Sequence, residues 1–350
     1  MRQTGLRRSL LVAGAVSLPI LASAGDLPAG ATGAHRDVEF TQYSPLSSSG
    51  ELARRLLTPL ADAALVRQAA SMGRALQGQP IDLAHERFLV YVPPAAAPQQ
   101  GYSLLVFIPP WRQATIPPGW AAVLDSHNMI FVSAANSGND ANVLDRRIPL
   151  ALLAVENLTH LYPVDRDRVY VGGFSGGSRI AMRMALSFPD VFRGALLNAG
   201  SDPIGEASAS LPATQLFHRF QTSSRLIYVT GIDDKLNIDD DNASLQSMHE
   251  WCMFSTGAEN MLRAGHEAAT PPDLDRALSM LSEQVQPDVG KLDDCRARIA
   301  SQMQATLAQA YAAVDRNDAR GAFRLLKKID ARYGGLAAPE SLDLARRIEA

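Results

Sequence analysis

Between residues 88 and 231 short, unbroken apolar runs alternate with longer stretches of helical period. The runs at 88–92, 102–108, 129–133, 169–171, 194–198 and 225–231 are rich in β-branched and aromatic residues. Several are apolar at nearly every position rather than every second one, which suits strands covered on both faces. Between them, 148–161 and 179–188 carry apolar residues at helical spacing, and a helix over 243–256 with a last strand at 260–263 continues the series. Strand and helix in alternation build an α/β fold: a mainly parallel sheet with helices on both faces.

The flanks differ. Residues 25–49 are rich in Ala, Gly, Ser and Pro with little periodicity and read as a loosely held lead-in. In 51–76, Leu52, Leu56, Leu57, Leu60, Ala64, Leu65 and Ala69 recur at helical spacing, giving one or two amphipathic helices. The lead-in and its helices thus occupy 25–86 and the sheet domain 87–287. In the remaining 288–350, segments 299–311 and 319–333 form an antiparallel helix pair, with Asn317-Asp318 as turn and N-cap. Gly334-Gly335 ends the second helix, and Pro339 opens a third, shorter one. The pair resembles a single tetratricopeptide-like unit, and one unit makes no array, so a packed extension is expected. It also offers a surface to a protein partner.

Composition changes the picture in three places. Arg2, Arg7 and Arg8, the apolar run from Leu10 to Leu21 and Ala22-Ser23-Ala24 make residues 1–24 read as a signal peptide. The run is broken by Pro19 and falls short of the about 20 apolar residues a bilayer requires. An exported chain, periplasmic or extracellular, is therefore expected, with no membrane span in its mature part. Lys plus Arg 33 against Asp plus Glu 36 offers nucleic acid no electrostatic footing. Cys252 and Cys295 are the only cysteines, and in an exported chain they suggest a disulfide; two separate buried thiols are the alternative.

The chemistry centres on Gly173-Phe174-Ser175-Gly176-Gly177, a G-x-S-x-G match between a strand and a helix. A nucleophile on so sharp a turn has crowded neighbours, so the positions two before and two after it must lack bulk. The bland reading is a glycine-rich loop without chemistry. A serine needs a base within hydrogen-bond reach and a third group to orient that base, and in such sheets the order is serine, acid, histidine. Of the seven histidines, His249 and His266 follow the acid candidates. His249 lies in a helical run, whereas His266 sits in a loop after a strand and is preferred. The acid should leave the strand ending at Gly231; Asp233 and Asp234 both qualify, with the Asp239–Asp241 cluster farther out.

The stretch Val164-Asp-Arg-Asp-Arg-Val-Tyr-Val-Gly-Gly-Phe-Ser-Gly-Gly-Ser-Arg179, with Phe188-Pro-Asp-Val-Phe192, resembles the secreted poly(3-hydroxybutyrate) depolymerase-like and feruloyl-esterase-like α/β-hydrolases. The resemblance spans roughly residues 88–281 and is specific around Ser175. It implies an α/β-hydrolase-type sheet. The family's valine-threonine-glycine exit lands on Val229-Thr230-Gly231 and its acid on Asp234; its glycine-histidine pair lands on Gly265-His266. The implied roles are Ser175 nucleophile, His266 general base and acid, and Asp234 orienting group, with no metal or organic cofactor.

One departure stands out. Where the family has a histidine-glycine pair, this chain has Pro109-Pro110-Trp111-Arg112. Proline has no N–H to donate. Gly176 supplies one oxyanion donor, and the second must come from Trp111 or Arg112, of which Trp111 is taken; Asn136 and Asn139 can reach the same cleft. Acyl transfer to water is the expected reaction, on a small or polymeric carboxylic ester first and an amide second. Two rivals share the fold: a catalytically silent scaffold that binds a ligand or partner, motivated by the double proline, and a serine peptidase.

Overall fold

The computed structural model describes residues 25–76 and 78–349; the leader read at 1–24 lies outside the described residues. Nine strands form one sheet: β1 (Gly25–Asp26), β2 (Gly33–Glu39), β3 (Phe88–Val92), β4 (Tyr102–Ile108), β5 (Met129–Ala134), β6 (Val164–Phe174), β7 (Gly194–Asn198), β8 (Arg225–Gly231) and β9 (Thr256–Met261). Their order is β1-β2-β3-β5-β4-β6-β7-β8-β9. From β5 through β4 to β9 every pairing is parallel, and β3 runs antiparallel to both its neighbours. This is the α/β-hydrolase arrangement that the resemblance implies.

The unbroken apolar runs serve two cores at once. Leu104, Val106 and Ile108 of β4 enter one cluster, while Leu105 and Phe107 enter the other. The first face is covered by α1 (Ser49–Leu56), α4 (Ile148–Leu161) and α5 (Gly176–Ser187), the second by α3 (Trp120–Ser126) and α8 (Pro271–Leu281). The other helices are α2 (Pro59–Ser71), α6 (Thr214–Ser223), α7 (Lys235–Glu250), α9 (Val289–Asp315), α10 (Ala319–Tyr333) and α11 (Ala338–Glu349). Within the C-terminal group Asp318 caps α10, its carboxylate accepting the Gly321 N–H at 2.8 Å. A disulfide joins Cys252, at the end of α7, to Cys295 on α9. No described helix is long and apolar enough to cross a membrane.

Four expectations need correcting. The 25–49 lead-in is not loose: residues 33–39 are a sheet strand hydrogen-bonded to β3, and Asn157 of α4 binds the Thr41 and Gln42 backbone. A short helix, α3, occupies 120–126 where none was foreseen. The last strand is 256–261 rather than 260–263. Finally, α7 begins at Lys235, so Asp239–Asp241 belong to a helix and not to a strand-exit loop. Asp241 is buried, accepting from Ser201 Oγ at 2.6 Å and Thr230 Oγ1 at 2.5 Å. Its burial outweighs those hydrogen bonds and the nearby Arg179 charge, pushing its pKa up to about 6.

Two outcomes follow. Joining residues 43 apart in sequence restricts the unfolded chain by about 4 kcal/mol in the loop-entropy model; Cys295→Ala should lower the unfolding free energy, read by urea denaturation, by about that amount. For Asp241 the folded pKa lies above the unfolded one, so its stabilising contribution is fully present below about 4 and is lost as pH rises through about 6. Asp241→Asn should therefore gain on the wild type between pH 4 and pH 7 in denaturation midpoints; parallel curves at both pH values would contradict this.

Candidate active site

Ser175 is the single residue between β6 and α5, at φ 80° and ψ −114°. A non-glycine residue held there stores strain of about 1–3 kcal/mol, which surrounding contacts must impose. They do: a Cβ on Gly173 would overlap the Gly177 backbone, one on Gly177 would overlap the Ile108 carbonyl, and one on Gly176 would overlap the Asn139 side chain. Backbone contacts therefore dictate the glycines at 173 and 177, whereas at 176 the obstacle is the end of a side chain that can swing aside. The Ser175 N–H donates to Asn198 O at 2.9 Å, fastening the turn to β7.

The β8 and β9 exits bring the other groups in. Ser175 Oγ lies 2.9 Å from His266 Nε2, and His266 Nδ1 lies 2.7 Å from Asp234 Oδ2. The imidazole stacks on Phe174, with ring centres 4.8 Å apart. Its loop is pinned from beneath: Asp233 N–H donates to Ala264 O at 3.0 Å, and Ala269 N–H to Asn198 Oδ1 at 2.8 Å. The His266 side chain is 44% exposed and that of Asp234 only 8%. Burial alone would raise the Asp234 pKa, but hydrogen bonds from Asn237 and His266 prevail and hold it below the usual carboxylate range.

Asn237 was not foreseen. Its Nδ2 donates to both Asp234 oxygens at 2.9 Å and stands 3.1 Å from His266 Nδ1, while its Oδ1 accepts from Arg179 Nη2 at 3.2 Å. Arg179, on α5, is itself held by Ser201 O, Asp202 and Asp240. The helix that follows the serine and the helix that follows the acid are thus tied through Arg179, which meets both the Asn237 amide and the Asp240 carboxylate of α7. No sequence signal marked it, because the contact exists only once Lys235 starts a helix and turns residue 237 back over residue 234.

Of the alternatives, Asp233 is exposed, Asp241 faces Ser201 and Thr230, and His249 sits against Thr256 at 3.3 Å. None joins Ser175. The N–H groups of Gly176 and Trp111 have no acceptor among the described residues. The Trp111 ring leans on Phe174, centres 6.1 Å apart, and its Nε1–H donates to Thr115 Oγ1 at 3.1 Å. Arg112 points outward to Asp140. Asn139 packs its amide against Gly176 and donates its N–H to Pro110 O at 3.0 Å; Asn136 shapes the loop only, through its N–H to Arg112 O at 2.6 Å.

No protein-family model matches the chain, and no curated protein matches it. Solved structures match at low identity. They include a thermostable esterase (15% identical, TM-score 0.44, covering 57% of this chain and 60% of that one). A candidate dipeptidyl aminopeptidase IV from Bacteroides ovatus is 15% identical, with TM-score 0.42, over 57% of this chain and 34% of that one. A ferulic acid esterase is 16% identical, with TM-score 0.39, over 55% of this chain and 89% of that one. The chain spans less than two thirds of the first two. Likenesses this distant say nothing of what the chain acts on; strand order and the Ser175 turn carry the fold.

Proposed function

We propose that the chain is an exported serine hydrolase that cleaves carboxylic esters through an acyl-enzyme on Ser175. The observation that supports it best is the unbroken relay from Ser175 Oγ through His266 to Asp234, with distances of 2.9 and 2.7 Å. Export is supported by the leader-like sequence of residues 1–24 and by the disulfide.

In this mechanism Ser175 Oγ attacks the substrate carbonyl carbon and His266 Nε2 takes the hydroxyl proton. The Asp234 carboxylate keeps the proton of the neutral ring on Nδ1 and stabilises the imidazolium that forms. Negative charge then collects on the carbonyl oxygen, and the N–H groups of Gly176 and Trp111 receive it. The first of these also lies at the positive end of α5. Collapse of the tetrahedral intermediate expels the alcohol, which takes the proton from His266. Water, deprotonated by the same imidazole, releases the acid and restores the serine. An alkoxide leaves with less help from a general acid than an amine requires, which favours esters ahead of amides.

Wild-type protein is expected to hydrolyse p-nitrophenyl acyl esters well above short peptide anilides and to label with a fluorophosphonate. Ser175→Ala should abolish labelling and lower kcat about 10,000-fold or more while leaving the melting temperature nearly unchanged. A folded wild type that neither labels nor turns over any ester in a panel would favour the silent scaffold, and anilides cleaved faster than esters would favour the peptidase.

A further inference from the structure

The loops on the oxyanion side converge on a buried side chain that the reaction above leaves unused. Residues Val143–Arg147 form a π-helical turn leading into α4, capped by Asn142 Oδ1, which accepts from the Leu144 and Asp145 N–H groups at 2.8 and 2.9 Å. Such wide turns recur at functional sites. This one sends two consecutive arginines to different depths. Arg146 forks onto Glu86 and donates from Nε to Asn136 O at 2.7 Å.

Arg147 goes deeper. It is 4% exposed and makes no ion pair with a carboxylate among the described residues; Asp140 acts on it only at longer range. Instead its Nε donates to Ser137 O at 2.9 Å, its Nη2 to Pro109 O at 3.0 Å, and its Nη1 stands 3.5 Å from Gly176 O. Burying a guanidinium with no carboxylate in contact, and only Asp140 near enough to act through space, is costly, and mere packing would not select it. Burial pulls its pKa down to about 10, so it remains a cation at neutral pH.

The three carbonyls belong to the three segments around the anion site. Pro109 lies two residues before Trp111, Ser137 two before Asn139, and Gly176 follows the serine. With two prolines in succession, the first segment cannot be secured through N–H groups at 109 and 110. It is secured through its carbonyls, Pro109 O by Arg147 and Pro110 O by the Asn139 N–H.

We propose that Arg147 is the positioning residue of the oxyanion site: its planar fork locks the 109–111 loop, the 137–139 turn and the start of α5 together, so that the Trp111 and Gly176 N–H groups aim at one point. The inference rests on Ser175 being the nucleophile. It also explains how a chain with two prolines in this loop retains a usable second donor.

Arg147→Lys keeps the charge and loses the fork; Arg147→Met loses both. Positioning predicts that kcat on p-nitrophenyl acetate falls about 10- to 100-fold in both, somewhat less than the factor of about 100 to 1,000 for deleting a donor outright. KM should stay within about twofold and fluorophosphonate labelling should slow in parallel with kcat. A purely structural role would lower the melting temperature and yield but leave kcat per labelled serine at the wild-type value. Wild-type kcat in either folded variant overturns the proposal, and where the methionine variant does not fold, the lysine variant decides. A wild type that itself neither hydrolyses nor labels sinks the hydrolase reading, which is a separate outcome from an active wild type with unimpaired Arg147 variants.

Discussion

The approach of Gly177 to the Ile108 carbonyl is closer than any side chain would permit, and the rest of the site is laid out from that junction. It brings the first turn of α5 down onto the end of β4 and leaves Ser175 the only residue available to join β6 to α5. The left-handed backbone at Ser175 is the geometric result. Strain of this kind persists only where neighbours over-determine it, and here a backbone hydrogen bond to Asn198 and glycine-lined contacts on both sides do so.

Around that junction the site divides into two halves held by different means. The His266 half is held by side-chain amides and charged groups: Asn198 grips the loop, and Asn237 spans from Arg179 to Asp234. The half around Trp111 and Gly176 is held by carbonyls gathered on a guanidinium and by the Asn139 N–H. Both halves reach back to α5 or to its first residue, so a shift of that helix would disturb the Ser175 turn, Asn237 and the Arg147 contacts together.

Legibility in the sequence followed the kind of force involved. Strands 88–92, 102–108, 194–198 and 225–231 were readable because each is buried along nearly its whole length, so that apolar runs mark them directly. The strand Gly33-Ala-His-Arg-Asp-Val-Glu39 was not, since it pairs near the sheet edge, keeps most of its side chains out of the core and owes its place to backbone hydrogen bonds. The start of α7 was hidden for a related reason: Asp239-Asp240-Asp241 looks solvated until Arg179, Ser201 and Thr230 arrive from elsewhere. Ser175, Asp234 and His266 were visible as residue types in a known order, whereas Asn237 and Arg147 act through contacts that no local pattern announces. The one trace of Arg147 was an arginine pair placed just ahead of a helix buried on nearly every side.

One backbone N–H of α2 is satisfied by a side chain far along the chain. The Leu60 N–H, in the first turn of α2, has no acceptor within its own helix and donates at 3.0 Å to the buried carboxylate of Asp330 on α10, 270 residues later. A growing chain emerging from the ribosome presents α2 long before α10 exists. Until residue 330 has been made, that amide is served by water alone. A nascent chain halted short of α10 therefore carries an unmet donor at the start of α2.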